Sequence, residues 1–186
     1  KIISRDARVN ELETIINEDC SLFIAKRSPA AGDLRNILMM LKIINDLERI
    51  GDEAAKIAQA TIRIFEDDRM SKPRFKQITL MAKNVGSMLK DALNSFARSD
   101  TTNTMSVLKR DQEVDDDYRL YMRQLLTYML EDPRTISMSL ESIFIAKSLE
   151  RIGDHAQNIA EGVIYSVSGT DVSHASFKEI KETLSN

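Results

Sequence analysis

Two identical six-residue segments carry the side chains of this sequence that are best suited to chemistry. The segment Leu-Glu-Arg-Ile-Gly-Asp at residues 47–52 recurs at residues 149–154, an offset of 102 residues. Within each copy the Glu and the Asp stand four residues apart. At about 100° per residue, such a pair lies on one face of a helix. Each copy therefore predicts a helix that presents two carboxylates together.

Further oxygen ligands occur on the helix that precedes each repeated segment. Asp6 and Asn10 are four residues apart, and so are Asp111 and Asp115. Short connections make successive helices antiparallel neighbours, so three or four carboxylates are expected to meet at each edge. Such groups repel one another unless they are protonated or bridged by cations such as Mg²⁺, Mn²⁺, Fe or Zn²⁺. The alternative is a solvated helix face on which the acids contact neighbouring arginines.

Apolar residues spaced by three and four predict that long helices position these acids. The predicted helices cover residues 1–27, 28–65, 73–98, 104–131 and 134–168, and residues 170–186 form a polar tail with one short helix. Ser28-Pro29, Ser71-Lys72-Pro73 and Asp132-Pro133 are predicted to begin helices, with the proline in the first turn. Gly169 suits a left-handed helix end. The sequence therefore predicts an all-α fold.

The two halves of the chain align helix by helix. Arg5-Asp6 with Val9 in the first half corresponds to Arg110-Asp111 with Val114 in the second. The second half contains three predicted helices, whereas the first contains two. We therefore expect two pseudo-symmetric three-helix bundles, of which the first lacks its opening helix in this chain. The predicted units are a first repeat at 1–68, a second repeat at 69–169 and a C-terminal tail at 170–186.

Composition and charge exclude several classes of protein. The 186 residues are 42% apolar and carry a net charge of −3, so the chain offers no overall basic field for nucleic acid. The sequence contains no apolar run near the length of a membrane span and no signal-peptide pattern at its start. We therefore expect a globular protein that can dock onto a membrane protein without crossing the membrane itself.

Motifs for catalysis are missing from the sequence. It contains neither a glycine-rich phosphate loop nor a nucleophile elbow. A di-iron oxidase would need Glu-x-x-His on two helices, but Ile152 occupies the Glu position before His155. His155 and His174 are expected to be polar surface residues, and Cys20, the single cysteine, is expected to be a buried thiol. The sequence therefore favours a binding protein over an enzyme.

Several segments resemble the PhoU family of phosphate-specific transport accessory proteins. They are the two Leu-Glu-Arg-Ile-Gly-Asp copies, Asp6 to Asn10 before the first copy, the Ala25-Lys26-Arg27-Ser28-Pro29 junction, and Met122-Arg123-Gln124-Leu125-Leu126-Thr127-Tyr128-Met129. The resemblance spans nearly the whole chain. It departs from the six-helix plan of the family only where the first helix is missing.

The resemblance implies a regulatory role for this chain. It implies a cytoplasmic, non-enzymatic negative regulator of the phosphate-starvation response, peripherally associated with two membrane partners. These partners are the ATPase of the phosphate ABC transporter, at its cytoplasmic face, and the sensor histidine kinase PhoR. Family members often form homodimers, and acidic motifs of relatives bind metal clusters. Carried over to this sequence, the candidate metal ligands are Asp6, Asn10, Glu48, Asp52, Asp111, Asp115, Glu150 and Asp154. A metal-binding helical scaffold without a signalling role is the alternative.

Overall fold

The computed structural model describes residues 2–66 and 76–185, and this part of the chain forms six α-helices and no strand. The helices are α1 (Ile3–Arg27), α2 (Ala31–Glu66), α3 (Lys76–Arg98), α4 (Thr104–Glu131), α5 (Ile136–Ser168) and α6 (Phe177–Ser185). A short 3₁₀ turn at Pro133–Thr135 precedes α5. The predicted all-α fold and the short helix in the tail are confirmed.

The central pair of helices is α2 and α5, which pack side by side along most of their length. Arg63 contacts Glu141, Asp46 contacts His155, and Ser166 contacts Asn36. Residue numbers rise along one helix as they fall along the other, so the two helices are antiparallel. On the outer sides of this pair, α1 packs against α2, while α3 and α4 pack against α5 and against each other.

The hydrophobic core is deepest where α3, α4 and α5 meet. Met88, Val114 and Ala156 come from these three helices and are completely buried. On α1, by contrast, Cys20 is buried as predicted, but Ile15, Leu22 and other apolar side chains remain largely exposed. The apolar stripe of α1 is therefore only partly covered in the described part of the chain.

The Ser-Pro pair at residues 28 and 29 lies at a helix end and not at a helix start. Ser28-Pro29 was expected to begin the second helix, but this prediction is wrong. Ser28 instead ends α1 in the left-handed conformation, with φ 41°, and its N–H donates to the carbonyl of Ile24. Because a proline disfavours helical geometry in the residue before it, α1 ends here and α2 starts only at Ala31. The predicted start at Ser71-Lys72-Pro73 lies outside the described residues.

The predicted helix start at Asp132-Pro133 and the predicted helix end at Gly169 lie at or next to the observed boundaries of α5. Asp132 accepts a hydrogen bond from the backbone N–H of Arg134 and caps the 3₁₀ turn, with Pro133 in its first position. Gly169 ends α5 with φ 76°, and its N–H donates to the carbonyl of Tyr165. Glycine adopts this conformation without the steric cost that a Cβ brings.

Candidate metal centres

The glycine of each repeated segment allows an aspartate from the preceding helix to approach closely. A Cβ on Gly51 would lie 3.3 Å from Oδ1 of Asp6, and a Cβ on Gly153 would lie 3.2 Å from Oδ1 of Asp111. Val9 and Val114 also contact these glycines in corresponding positions. The two halves therefore use the same device to place an acidic side chain between adjacent helices.

Both of these aspartates have a buried oxygen without a hydrogen-bond partner among the described residues. Oδ1 of Asp6 and Oδ1 of Asp111 are buried, and no side chain or backbone group of residues 2–66 and 76–185 that the structure describes donates a hydrogen bond to either oxygen. A buried carboxylate oxygen without a donor is costly, so it requires a proton, a water or a cation. This observation is the strongest structural sign that each edge accommodates an additional ligand.

At the second edge, formed by α4 and α5, burial and mutual repulsion raise the pKa values of two aspartates. The pKa of Asp111 is raised to about 7, first because the carboxyl is buried and then because Asp154, Asp115 and Glu150 repel its negative charge. The pKa of Asp154 is also raised, by desolvation and by repulsion from Glu150 and Asp115. The four acids predicted for this edge therefore lie close enough to influence one another.

At the first edge, formed by α1 and α2, a further acid joins the predicted set. The pKa of Glu48 is raised by burial and by repulsion from Asp52, with smaller contributions from Glu13 and Asp6, and Arg49 opposes the shift. Glu13 is not among the predicted ligands, because it does not form a four-residue spacing with Asp6. It stands seven residues after Asp6, which is two helical turns and therefore the same face.

Asn10 is the candidate with the least structural support. Its side chain is exposed, and the hydrogen bond recorded for it uses its backbone carbonyl, which accepts from the hydroxyl of Thr14. At the first edge the structure therefore couples Asp6, Glu48 and Asp52, while Asn10 stays at the periphery.

Basic side chains already neutralise part of each edge. Arg49 approaches Glu48 at 3.4 Å and Asp52 at 3.8 Å. At the second edge, Nζ of Lys147 lies 2.5 Å from Glu150, and Arg119 lies 3.6 Å from Asp115. The arginine contacts that belong to the alternative of a solvated face are therefore present in the first copy, whereas Arg151 of the second copy contacts Glu53 on α2. In the second copy, Lys147 takes that place.

The candidate ligands are chemically suited to a hard cation, although their side chains do not converge on one point. Within residues 2–66 and 76–185, no three side chains of His, Cys, Asp or Glu lie close enough together to hold a metal ion as they stand. Carboxylate oxygens are nonetheless the donors that Mg²⁺, Mn²⁺ and iron prefer, and Zn²⁺ also accepts them. A bound ion would supply a positively charged partner for the buried carboxylate oxygens of Asp6 and Asp111.

A polar network that no sequence pattern indicated joins the two halves between the edges. Nδ1 of His155 lies 2.8 Å from Oδ1 of Asp46, and the Asn158 amide donates to the same oxygen at 3.2 Å. The expectation that His155 is a surface residue is therefore wrong, because its side chain is only 17% exposed. His174 is exposed, as expected.

The Asp46–His155 contact has a symmetry-related counterpart at the α2–α5 interface. Asp46 and Ser148 are 102 residues apart, and so are Glu53 and His155. The Asp46–His155 contact therefore corresponds to the hydrogen bond between Ser148 and Glu53. The packing of the two central helices obeys the same internal symmetry as the sequence.

Comparison with known proteins agrees with this repeated architecture. The family model described as the PhoU domain matches twice, at residues 1–61 and 78–163. A phosphate-specific transport system accessory protein PhoU homolog from Pseudomonas aeruginosa is 46% identical over 182 residues, covering 97% of this chain and 74% of that protein. The phosphate-specific transport system accessory protein PhoU of Escherichia coli K12 is 40% identical over 184 residues, covering 99% of this chain and 76% of that protein.

Solved structures lead to the same class. The crystal structure of PhoU from Pseudomonas aeruginosa matches with a TM-score of 0.88 and 45% identity, covering 91% of this chain and 80% of that one. The phosphate transport system regulatory protein PhoU from Streptococcus pneumoniae matches with a TM-score of 0.81 and 27% identity, covering 92% of this chain and 80% of that one.

These matches define an all-α protein with a PhoU-like fold. The chain belongs to the PhoU family, a family of regulatory proteins that are not enzymes. Among the described helices, none combines the length and the apolar character that crossing a membrane requires.

Proposed function

We propose that this protein is an accessory and negative regulator of a phosphate transport system, acting in the cytoplasm. It represses the phosphate-starvation response by binding the ATPase of the phosphate ABC transporter and the sensor histidine kinase PhoR. The observation that carries this proposal is the 46% identity over 97% of the chain to a phosphate transport accessory protein. The double match to the PhoU domain supports two repeats, which we place at 1–68 and 69–169.

A protein without catalytic chemistry regulates by binding one state of its partner more tightly than another. By linkage, this chain must bind the repressing state of the kinase more tightly than the activating state. We propose that it does so as a homodimer that associates with the membrane only through its partners. The bundle surfaces and the acidic edges provide the groups for these contacts.

Deletion of the gene is expected to abolish repression. In cells that lack the protein, a reporter behind a phosphate-starvation promoter should be expressed constitutively in high phosphate, because nothing then holds the kinase in its repressing state. Reintroducing the gene should restore repression. The measurement is reporter output in high and low phosphate. Normal repression in the deleted strain would remove the regulatory proposal and leave a metal-binding scaffold as the better account.

We further propose that both acidic edges bind metal ions. The ligands are Asp6, Glu48 and Asp52 at the first edge, with Asn10 as a peripheral donor, and Asp111, Asp115, Glu150 and Asp154 at the second. The partnerless oxygens of Asp6 and Asp111 and the raised pKa of Asp111 support this proposal. The ion is Mg, Mn, Fe or Zn, all of which accept carboxylate oxygen.

Removing one glutamate from each edge is expected to remove the metal. Protein purified without chelator should contain stoichiometric metal, and the double variant Glu48→Ala, Glu150→Ala should lose it because each edge is deprived of a half-buried ligand. Inductively coupled plasma mass spectrometry measures the content. The matched control is Glu131→Ala, Glu182→Ala, which removes two exposed glutamates outside the edges. Equal metal content in both double variants would contradict the proposed sites.

A further inference from the structure

Lys147 contacts both carboxylate oxygens of one candidate metal ligand at the second edge. Its Nζ donates to Oε1 and to Oε2 of Glu150, each at 2.5 Å. The side chain of Glu150 is only 13% exposed, so most of its surface is shielded from water. A lysine ammonium therefore covers the oxygens that Glu150 would offer to a metal ion.

The positive charge of Lys147 also acts on a second candidate ligand. Burial and repulsion from Glu150 and Asp115 raise the pKa of Asp154, and the charge of Lys147 opposes that shift. Asp154 follows Glu150 by one helical turn on the same face of α5. Two of the four candidate ligands at this edge therefore interact with the same ammonium.

Lys147 has a second contact that does not depend on the acids. Its Nζ lies over the ring of Tyr118 on α4, 5.4 Å from the centre of the ring. A cation is attracted to the negative face of an aromatic ring. Because the side chain of Lys147 is also 48% exposed, its ammonium can leave Glu150 and still contact Tyr118 and water.

The first edge has other residue types in place of Lys147 and Tyr118. Corresponding residues are 102 apart on α2 and α5, and 105 apart on α1 and α4. The counterparts of Lys147 and Tyr118 are therefore Asn45 and Glu13. The cation of the first edge is Arg49, which lies 3.4 Å and 3.8 Å from its two acids. A lysine that covers both oxygens of a candidate ligand is thus a property of the second edge.

We propose that Lys147 is a displaceable occupant of the second metal centre, and that a metal ion must expel it from Glu150 in order to bind. Since Nζ is 2.5 Å from both oxygens, an ion coordinated by either one would lie within about 5 Å of the ammonium. Repulsion between a divalent ion and an ammonium at that distance lowers the affinity about tenfold even in water. The proposal rests on the proposed function of this edge as a metal centre.

Two other roles of Lys147 predict different results. A salt bridge between residues three apart on a helix can simply stabilise that helix, and its removal then leaves metal affinity unchanged. Alternatively, Lys147 can hold Glu150 in the position that the metal requires, and its removal then weakens metal binding. Only a displaceable occupant predicts tighter binding when the ammonium is removed.

Calorimetric titration of chelator-treated protein with Mn²⁺, and separately with Zn²⁺, tests the proposal. All variants carry Glu48→Ala, which disables the first edge, so the heat comes from the second. Lys147→Met keeps most of the side-chain length and removes its charge. We expect this variant to bind the metal with a dissociation constant about tenfold lower than that of the Glu48→Ala parent. An equal or higher dissociation constant would overturn the proposal.

Three further variants separate the local charge from other causes. Lys147→Arg keeps the cation and is expected to keep the weaker binding. Lys178→Met removes an exposed lysine on α6, outside both edges, and should change the dissociation constant by less than about twofold. A gain in affinity in either variant equal to that of Lys147→Met would contradict the proposal. Lys147→Gln provides an independent variant should Lys147→Met fold poorly, which thermal unfolding of the metal-free protein reveals.

A crystal structure of the protein with Mn²⁺ bound provides a direct readout. We expect Nζ of Lys147 to lie outside hydrogen-bond distance of Glu150 and to remain over the ring of Tyr118. An ion bound to Glu150 while Lys147 still contacts both oxygens would show that no displacement occurs.

Failure of this proposal and failure of the metal sites give different results. If the Glu48→Ala parent binds metal, loses it on the further substitution Glu150→Ala, and gains no affinity from Lys147→Met, the second metal centre stands and the role of Lys147 fails. If neither the parent nor Lys147→Met binds Mn²⁺ or Zn²⁺, both proposals fail. If Lys147→Met binds more tightly and Glu150→Ala abolishes that binding, both proposals stand.

Discussion

Replacement of Gly153 with leucine is expected to lower the free energy of unfolding by about 3 kcal/mol or more. Gly153 is buried, and even a Cβ would lie 3.2 Å from Oδ1 of Asp111, 3.6 Å from Cγ1 of Val114 and 3.8 Å from Cε of Met88. The remaining three carbon atoms of leucine have no space unless α4 moves away from α5. Urea denaturation followed by circular dichroism measures the loss.

Gly86 provides the matched control on α3. It is exposed, and no atom lies within 4 Å of the position that its Cβ would take. Because glycine is a poor helix former, Gly86→Leu is expected to raise stability by about 0.5 kcal/mol. Similar stability changes in the two variants would contradict the close approach of α4 to Gly153. They would also weaken the account of why each repeated segment contains glycine.

The second large effect is a loss of stability with rising pH in protein freed of metal by a chelator. The folded-state pKa of Asp111 is raised from 3.8 to about 7, so the folded state holds a proton that the unfolded state has already released. Stability is therefore greatest below the unfolded pKa and falls as the pH rises towards 7. A shift of this size corresponds to about 4 kcal/mol, which solvent screening reduces to about 2 kcal/mol.

The variant Asp111→Asn isolates this contribution, because it keeps the shape of the side chain and removes its charge. We expect the metal-free variant to be more stable than the parent at neutral pH and to lose less stability between about pH 4 and about pH 7. Asp116→Asn, on the exposed side of the same helix, should leave the pH dependence unchanged. Thermal unfolding across this range measures the effect. Parallel curves for the parent and Asp111→Asn would show that Asp111 is not the group responsible.

Local patterns in the sequence were sufficient for the helices and for part of the site. Apolar spacing identified the five long helices, and Gly169 marked the end of α5 correctly. The repeated segments placed paired carboxylates on α2 and α5, because i, i+4 spacing has the same meaning on any helix. Ser28 shows the limit of such signals, since the same dipeptide, Ser-Pro, is compatible with a helix start and with a helix end.

Contacts between the halves were decided only by the tertiary structure. Periodicity shows which face of a helix is buried, but it does not show which residue lies opposite. Asp46 and His155 are 109 residues apart in sequence, and their contact depends on the antiparallel packing of α2 against α5. The contact of Arg151 with Glu53 depends on the same packing. The sequence by itself therefore determined the helices and the acidic repeats. The raised pKa of Asp111 follows from packing, because burial and repulsion act between side chains that only the fold brings together.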